Sequence, residues 1–265
     1  MESREQLERF VLQVGNGAHV FVPKGWLGET VIVVRQPRPP LQERILSLIE
    51  PHLADCVGVY LYGSQARGET TVDSDVDLLV ISSKKFEIKQ KGFEVVVLPE
   101  SSLDHAFQSQ PLMLCAMMAE AKPIINAPLL EKLKVQYRPE QASFRSFLED
   151  TKRMATVAEG FLEEGPSSAI AYSLILRLRG LYLLNCLRTH RLYSHQLFLR
   201  WIKGRRPGIN LKPVYDAYKA VKLNTKPPSR LEEKDFRLLV SLLKEEVRSA
   251  WRLYGQQKKT PAKGN

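Results

Sequence analysis

The sequence predicts an α+β protein in three parts: an N-terminal β hairpin, a small sheet domain with helices, and a C-terminal antiparallel helical bundle. Three observations carry this expectation. Every run with strand character lies before residue 127. Beyond about residue 140, apolar positions recur only at helical spacing. Clusters of proline and glycine, PRPP at 37–40, GRRPG at 204–208 and KPPS at 226–229, punctuate the chain between the periodic segments. With 265 residues, 44% of them hydrophobic and 26% charged, the chain has enough apolar surface for a sizeable core, which argues against extensive disorder. The expected division is a β-rich appendage with its linker at 1–39, the sheet domain at 40–139, the bundle at 140–254 and a mobile tail at 255–265, which has no apolar anchor.

In chain order, HVFVPKGWLGETVIVVRQ at 19–36 reads as two short β-rich runs around a turn that contains Gly25 and Gly28. Leu41, Ile45, Leu48, Ile49 and Leu53 then recur at helical spacing. Strands follow at 57–62 (VGVYLY), 76–82 (VDLLVIS) and 93–99 (FEVVVLP), with a Gly-Ser turn and a short helix after the first. Helical stretches are expected near 101–109 and 111–120, and a short strand at 123–126 (PIIN). The bundle helices are expected near 141–164, 167–190, 193–203, 211–222 and 231–254.

Several function classes are set aside by composition. The one long apolar run, 169–187, carries Arg177 and Arg179 near its centre, which is costly in a bilayer, so it reads as a core helix and no membrane partner is expected. The opening MESREQLERF has acids and no apolar stretch, unlike a secretory signal, so the cytoplasm is the expected location. Cys56, Cys115 and Cys186 are far apart and form no metal or disulfide pattern, and the five histidines show no ligand spacing.

Charge is unevenly placed. Residues 1–139 hold 15 basic side chains against 17 acidic, whereas 140–265 hold 24 against 12. The excess concentrates at 177–230, where 13 basic residues face one acid, Asp216. Such a field attracts anions, nucleic acid first among them. Within it, LRWIKGRRPGINLK sets Trp201 among Arg200, Lys203, Arg205 and Arg206, a blend suited to stacking and phosphate contact, or to a solvated basic loop.

The chemistry concentrates in LYGSQARGETTVDSDVDLLVIS at 61–82. Asp75 and Asp77 are two residues apart leading into a buried strand, so they share a face and repel unless a cation lies between them. Gly63 and Ser64 sit where a strand turns into a helix, and small residues there let backbone N–H groups approach an anion such as phosphate. Glu94 is a lone acid in the next strand. Three carboxylates near a phosphate cradle are the donor set of Mg²⁺ or Mn²⁺, which bridge protein carboxylates and substrate phosphates.

Gly63-Ser64, then Ala66-Arg67-Gly68, then Ser74-Asp75-Val76-Asp77-Leu78 resembles the signature of the polymerase-β-like nucleotidyltransferases, especially their minimal members and the antibiotic adenylyltransferases. By motif the resemblance covers about residues 41–126. It implies a small mixed sheet, a divalent metal on Asp75 and Asp77 with Glu94 as third acid and base, and a nucleoside triphosphate cradled at Gly63 and Ser64. Arg67 is equally suited to a phosphate contact and to a structural ion pair, whereas Asp73 shares the parity of Asp75 but lies just outside the strand and reads as a turn residue in preference to a metal ligand. The implied reaction moves a nucleoside monophosphate to an acceptor hydroxyl. The basic bundle favours an anionic acceptor such as RNA over the polycationic acceptors of the aminoglycoside enzymes. The alternative is a non-catalytic, antitoxin-like regulator that uses the same fold to bind nucleic acid or protein. The hairpin region resembles the swapped-hairpin transcription regulators, which is compatible with a homodimer or with a plain packing element.

Overall fold

A computed structural model of the chain describes residues 5–15, 17–34, 39–70, 74–227 and 229–255. Contacts divide the chain into two units, residues 1–44 and 45–265. In the first, β1 (Leu12–Val14) and β2 (Gly17–His19) pair antiparallel, with Leu12 opposite His19. The hairpin therefore lies earlier than the 19–36 runs that the sequence suggested, and residues 29–34 belong to no ladder. Turn chemistry explains the difference. Val14-Gly15-Asn16-Gly17 carries the glycine-rich signal of a two-residue hairpin connection, and Gly15 has φ +53, which glycine adopts at no steric cost. Pro23 cannot donate to a ladder, and Lys24–Trp26 coil into a 3-10 turn instead.

After α1 (Leu41–Ile49), which buries Ile45 and Ile49 one turn apart, a 3-10 segment leads into β3 (Cys56–Tyr62) and the short α2 (Gly63–Arg67). Next come β4 (Val76–Ser82), β5 (Phe93–Pro99), α3 (Leu103–Ser109), α4 (Pro111–Glu120), β6 (Lys122–Ile125) and α5 (Ala127–Gln136). The sheet order is β5-β4-β3-β6; β4 and β5 run parallel and the other pairs antiparallel, so the sheet is mixed. The central strands are apolar on both faces because both are covered. On one face Tyr60, Tyr62, Leu79 and Ile81 cluster with Leu103, Leu114, Met118 and Leu130 of the three following helices. The sequence reading did not anticipate α5, although Asn126 caps it: its side chain accepts from the Leu129 N–H at 3.2 Å.

The C-terminal helices are α6 (Arg145–Gly160), α7 (Ser168–Arg188), α8 (His195–Arg205), α9 (Leu211–Lys222) and α10 (Glu233–Tyr254). By length and composition alone α7 could cross a membrane. Here it is the centre of the bundle, where Leu174, Leu178 and Leu184 join Leu148, Val214, Leu239 and Leu243 in one buried cluster. Each such side chain contributes roughly 1.5–3 kcal/mol relative to exposure. Helix α7 also packs on α4, which joins the bundle to the sheet domain.

Candidate active site

The geometry of the site starts from one glycine. Tyr62 ends β3 directly opposite Asp77 of β4, and the chain turns at Gly63 with φ +73. A Cβ at Gly63 would lie 1.8 Å from Asp77 Oδ2, so glycine is required twice, for its backbone angle and for the room it leaves. The Gly63 N–H donates to Glu120 Oε1 at 3.0 Å, and the Ser64 N–H donates to the Asp77 carboxylate. These are the two backbone donors that the sequence pattern assigns to phosphate. In this structure each of them holds a carboxylate.

Asp77 and Glu94 are register partners on the parallel strands β4 and β5, which places them side by side on one face, in a row with Tyr62. Burial pushes the Asp77 carboxyl up to about 6, with the charges of Glu94 and Glu120 adding to it and Arg67 and the Ser64 N–H working against it. Burial and the same three carboxylates push the Tyr62 phenol up as well. Asp75 lies one residue before β4 and is exposed, as is Glu94, so both stand at the rim while Asp77 sits deeper. Asp73 lies outside the described residues.

Among the described residues, no group of three or more acids, histidines or cysteines is already close enough to hold a metal ion. The donor set nevertheless suits a hard divalent cation: carboxylate oxygens only, mutually repelling, one of them partly desolvated. Asp75, Asp77 and Glu94 are the residues that would hold it.

Residues 46–117, from α1 through most of α4, match the family model described as the nucleotidyltransferase domain. The match spans 72 of the 265 residues and supports the resemblance to the polymerase-β-like nucleotidyltransferases over that segment. No curated protein matches the chain. Among solved structures, a nucleotidyltransferase-like protein from Exiguobacterium sibiricum is 17% identical, covering 82% of this chain and 78% of that one at a TM-score of 0.35, a likeness too weak to bear on the fold.

Within the matched segment, Arg67 belongs to a partly buried ion-pair network. It donates to Glu120 and, from Nε at 3.1 Å, to Glu69, and its guanidinium lies 5.0 Å from the Tyr193 ring centroid. Glu69 in turn accepts from Ser194 Oγ at 2.5 Å and from the His195 N–H at 3.2 Å, at the start of α8. Burial raises the Glu69 carboxyl, but these hydrogen bonds outweigh it and hold the group below its ordinary value. Sequence reasoning missed Glu120 and Glu69. Glu120 had a signal: it is the one acid that ends the apolar run of α4.

The four basic residues singled out for nucleic acid lie on α8 and just beyond. Lys203 Nζ donates to the Ile209 carbonyl at 2.6 Å, Arg205 pairs with Glu246 at 3.3 Å and Arg206 with Glu245 at 2.7 Å. Arg200 is exposed and has no such partner among the described residues. Trp201 packs 5.4 Å from Tyr182 and 6.0 Å from Phe198, centroid to centroid, as part of the bundle core.

Proposed function

We propose that the protein transfers a nucleoside monophosphate from a nucleoside triphosphate to the hydroxyl of an anionic acceptor. The observation that carries this reading is the facing of Asp77 and Glu94, inside the segment that matches the nucleotidyltransferase domain, with Glu120, three residues beyond that segment, on the N–H of the Gly63-Ser64 turn. Asp75, Asp77 and Glu94 would hold Mg²⁺ or Mn²⁺, which would supply positive charge to offset that on the transferring phosphoryl group. Gly63 and Ser64 offer their N–H groups to the triphosphate, and Glu120 gives up the Gly63 N–H when phosphate arrives. The acceptor oxygen bonds to the α-phosphorus as the bond to pyrophosphate breaks, and the acceptor's proton passes to Glu94. Arg67 acts through Glu120 and Glu69 as a positioning residue.

The acceptor field is the basic bundle. Thirteen basic residues against one acid at 177–230 support an anionic acceptor, and RNA is the largest member of that class. Arg200 is the one of the four basic residues first assigned to it that has no polar partner among the described residues; Lys203, Arg205 and Arg206 are engaged by partners at the surface of the bundle. A thermal-shift titration with each of the four nucleoside triphosphates and Mg²⁺ tests the nucleotide half. At least one is expected to raise the melting temperature of the parent protein, and none that of Asp77→Asn. No shift with any nucleotide would leave the non-catalytic regulator as the better reading.

A further inference from the structure

A cavity of about 630 Å³ opens beside the carboxylates, between α4 on one side and α6 and α7 on the other. One end reaches the proposed reaction centre through Tyr62, Arg67 and Glu120. Its walls are largely apolar, with Leu112, Phe147, Leu176 and Leu183 among them. A space of this size and lining takes a small molecule, and it is too small for a folded nucleic acid.

The cations in it decide which small molecule. Three arginines line the cavity, and Arg67 is neutralised by Glu69 and Glu120. Arg177 and Arg179 have no carboxylate partner among the described residues. Each lies against an aromatic ring: Arg177 at 5.8 Å from the Phe147 centroid and Arg179 at 5.0 Å from that of Tyr193. Arg179 Nε is buried and makes no hydrogen bond. A guanidinium donor removed from water and left unpaired is costly, and an incoming carboxylate or phosphate relieves that cost with a charge-assisted bond. The acid on this wall, Asp150, pairs with Arg153 and does not neutralise the two arginines. The same two arginines interrupt the apolar run of α7.

We infer that this cavity is the acceptor site of the proposed transferase, and that it takes a small amphipathic anion whose carboxylate or phosphate is received by Arg177 and Arg179. The apolar part of the acceptor lies against Phe147, Leu176 and Leu183, and its hydroxyl points to the Glu120 end. This rests on the nucleotidyl-transfer reading for the identity of the reaction, but the anion site stands on its own geometry. The same arginines would also suit the triphosphate of the nucleotide, and the two sources are separable by experiment.

The probe is 8-anilinonaphthalene-1-sulfonate, an amphipathic anion that fluoresces in apolar surroundings, titrated against the full chain and against Arg177→Met/Arg179→Met, which keeps side-chain bulk and removes both charges. The expected result is a saturable site whose dissociation constant rises at least tenfold in the double variant, while the thermal shift by nucleotide and Mg²⁺ is unchanged. Circular dichroism of the variant confirms folding, and Leu183→Trp, which fills the cavity without touching charge, is expected to weaken the dye as well. Equal dye affinity in parent and double variant overturns the anion site. A nucleotide shift lost together with the dye overturns the acceptor assignment and gives the arginines to the triphosphate. A second arm offers α-labelled nucleotide with either the small-molecule filtrate of a cell extract or purified RNA. Label is expected in a small product retained on an anion exchanger, and label in RNA instead refutes the small acceptor. If the dye site behaves as expected but neither fraction is labelled and no nucleotide shifts the melting point, the transferase reading fails while the anion site remains.

Discussion

Asp77→Asn isolates the charge that this site is built around. In the folded chain the carboxyl is raised from its ordinary 3.8 to about 6, because burial and the charges of Glu94 and Glu120 disfavour its ionised form. A raised acid binds its proton more tightly folded than unfolded. Its contribution to stability is therefore fully present below about pH 4 and is lost as pH rises to about 6. At ~1.36 kcal/mol per pH unit the gap sets a ceiling of about 3 kcal/mol, and partial exposure of the side chain to solvent reduces it to about 1–2 kcal/mol. Asparagine keeps an oxygen to accept the Ser64 N–H and gains an amide that can donate to a neighbouring carboxylate. At pH 7 the variant should be more stable than the parent by about 1–2 kcal/mol, a rise of about 2–8 °C in melting temperature at ~2–4 °C per kcal/mol. At pH 4 the difference should vanish. Thermal melts across pH 4–8 read this directly, and millimolar Mg²⁺ should raise the parent toward the variant at pH 7. An equal gain at pH 4 and pH 7, or a loss at pH 7, would refute the view that Asp77 sits uncompensated among like charges.

Gly63→Ala places a Cβ 1.8 Å from Asp77 Oδ2 and forces alanine to φ +73, so urea unfolding should show a loss of at least about 1–3 kcal/mol from the backbone angle alone; an unchanged midpoint would mean that the turn rearranges freely. Changing Arg200, Lys203, Arg205 and Arg206 together to Ser should lower the salt slope of RNA binding by only about one, because a single one of the four is open for phosphate; filter binding at several salt concentrations would show a drop of three or four if the internal pairs of the others open on binding.

The sequence by itself determined the strand-turn-helix of the motif and the helical remainder. β3, β4 and β5 are largely apolar runs of seven residues, α6, α9 and α10 follow a 3.6-residue apolar pattern, and α7 is a long apolar run broken only by Arg177 and Arg179 near its centre. Strict spacing also made Asp75, Asp77 and Gly63 legible, because their meaning depends on neighbours within fifteen residues. The hairpin lies at 12–19 and not at 19–36 because the glycine turn at 15–17 fixes the pairing, whereas β-rich composition alone does not specify a partner. What only tertiary structure decided is contact across long stretches of chain. Glu120 reaches the Gly63 N–H from 57 residues away, and Glu69 meets Ser194 across 125. Whether a basic side chain faces an acid or an empty cavity likewise depends on which helices meet. Arg205 and Arg206 find Glu246 and Glu245 on α10, while Arg177 and Arg179 line the space between α4, α6 and α7 and form no ion pair among the described residues. Charge counted along a sequence cannot separate these cases, because pairing is set by distances that only packing creates.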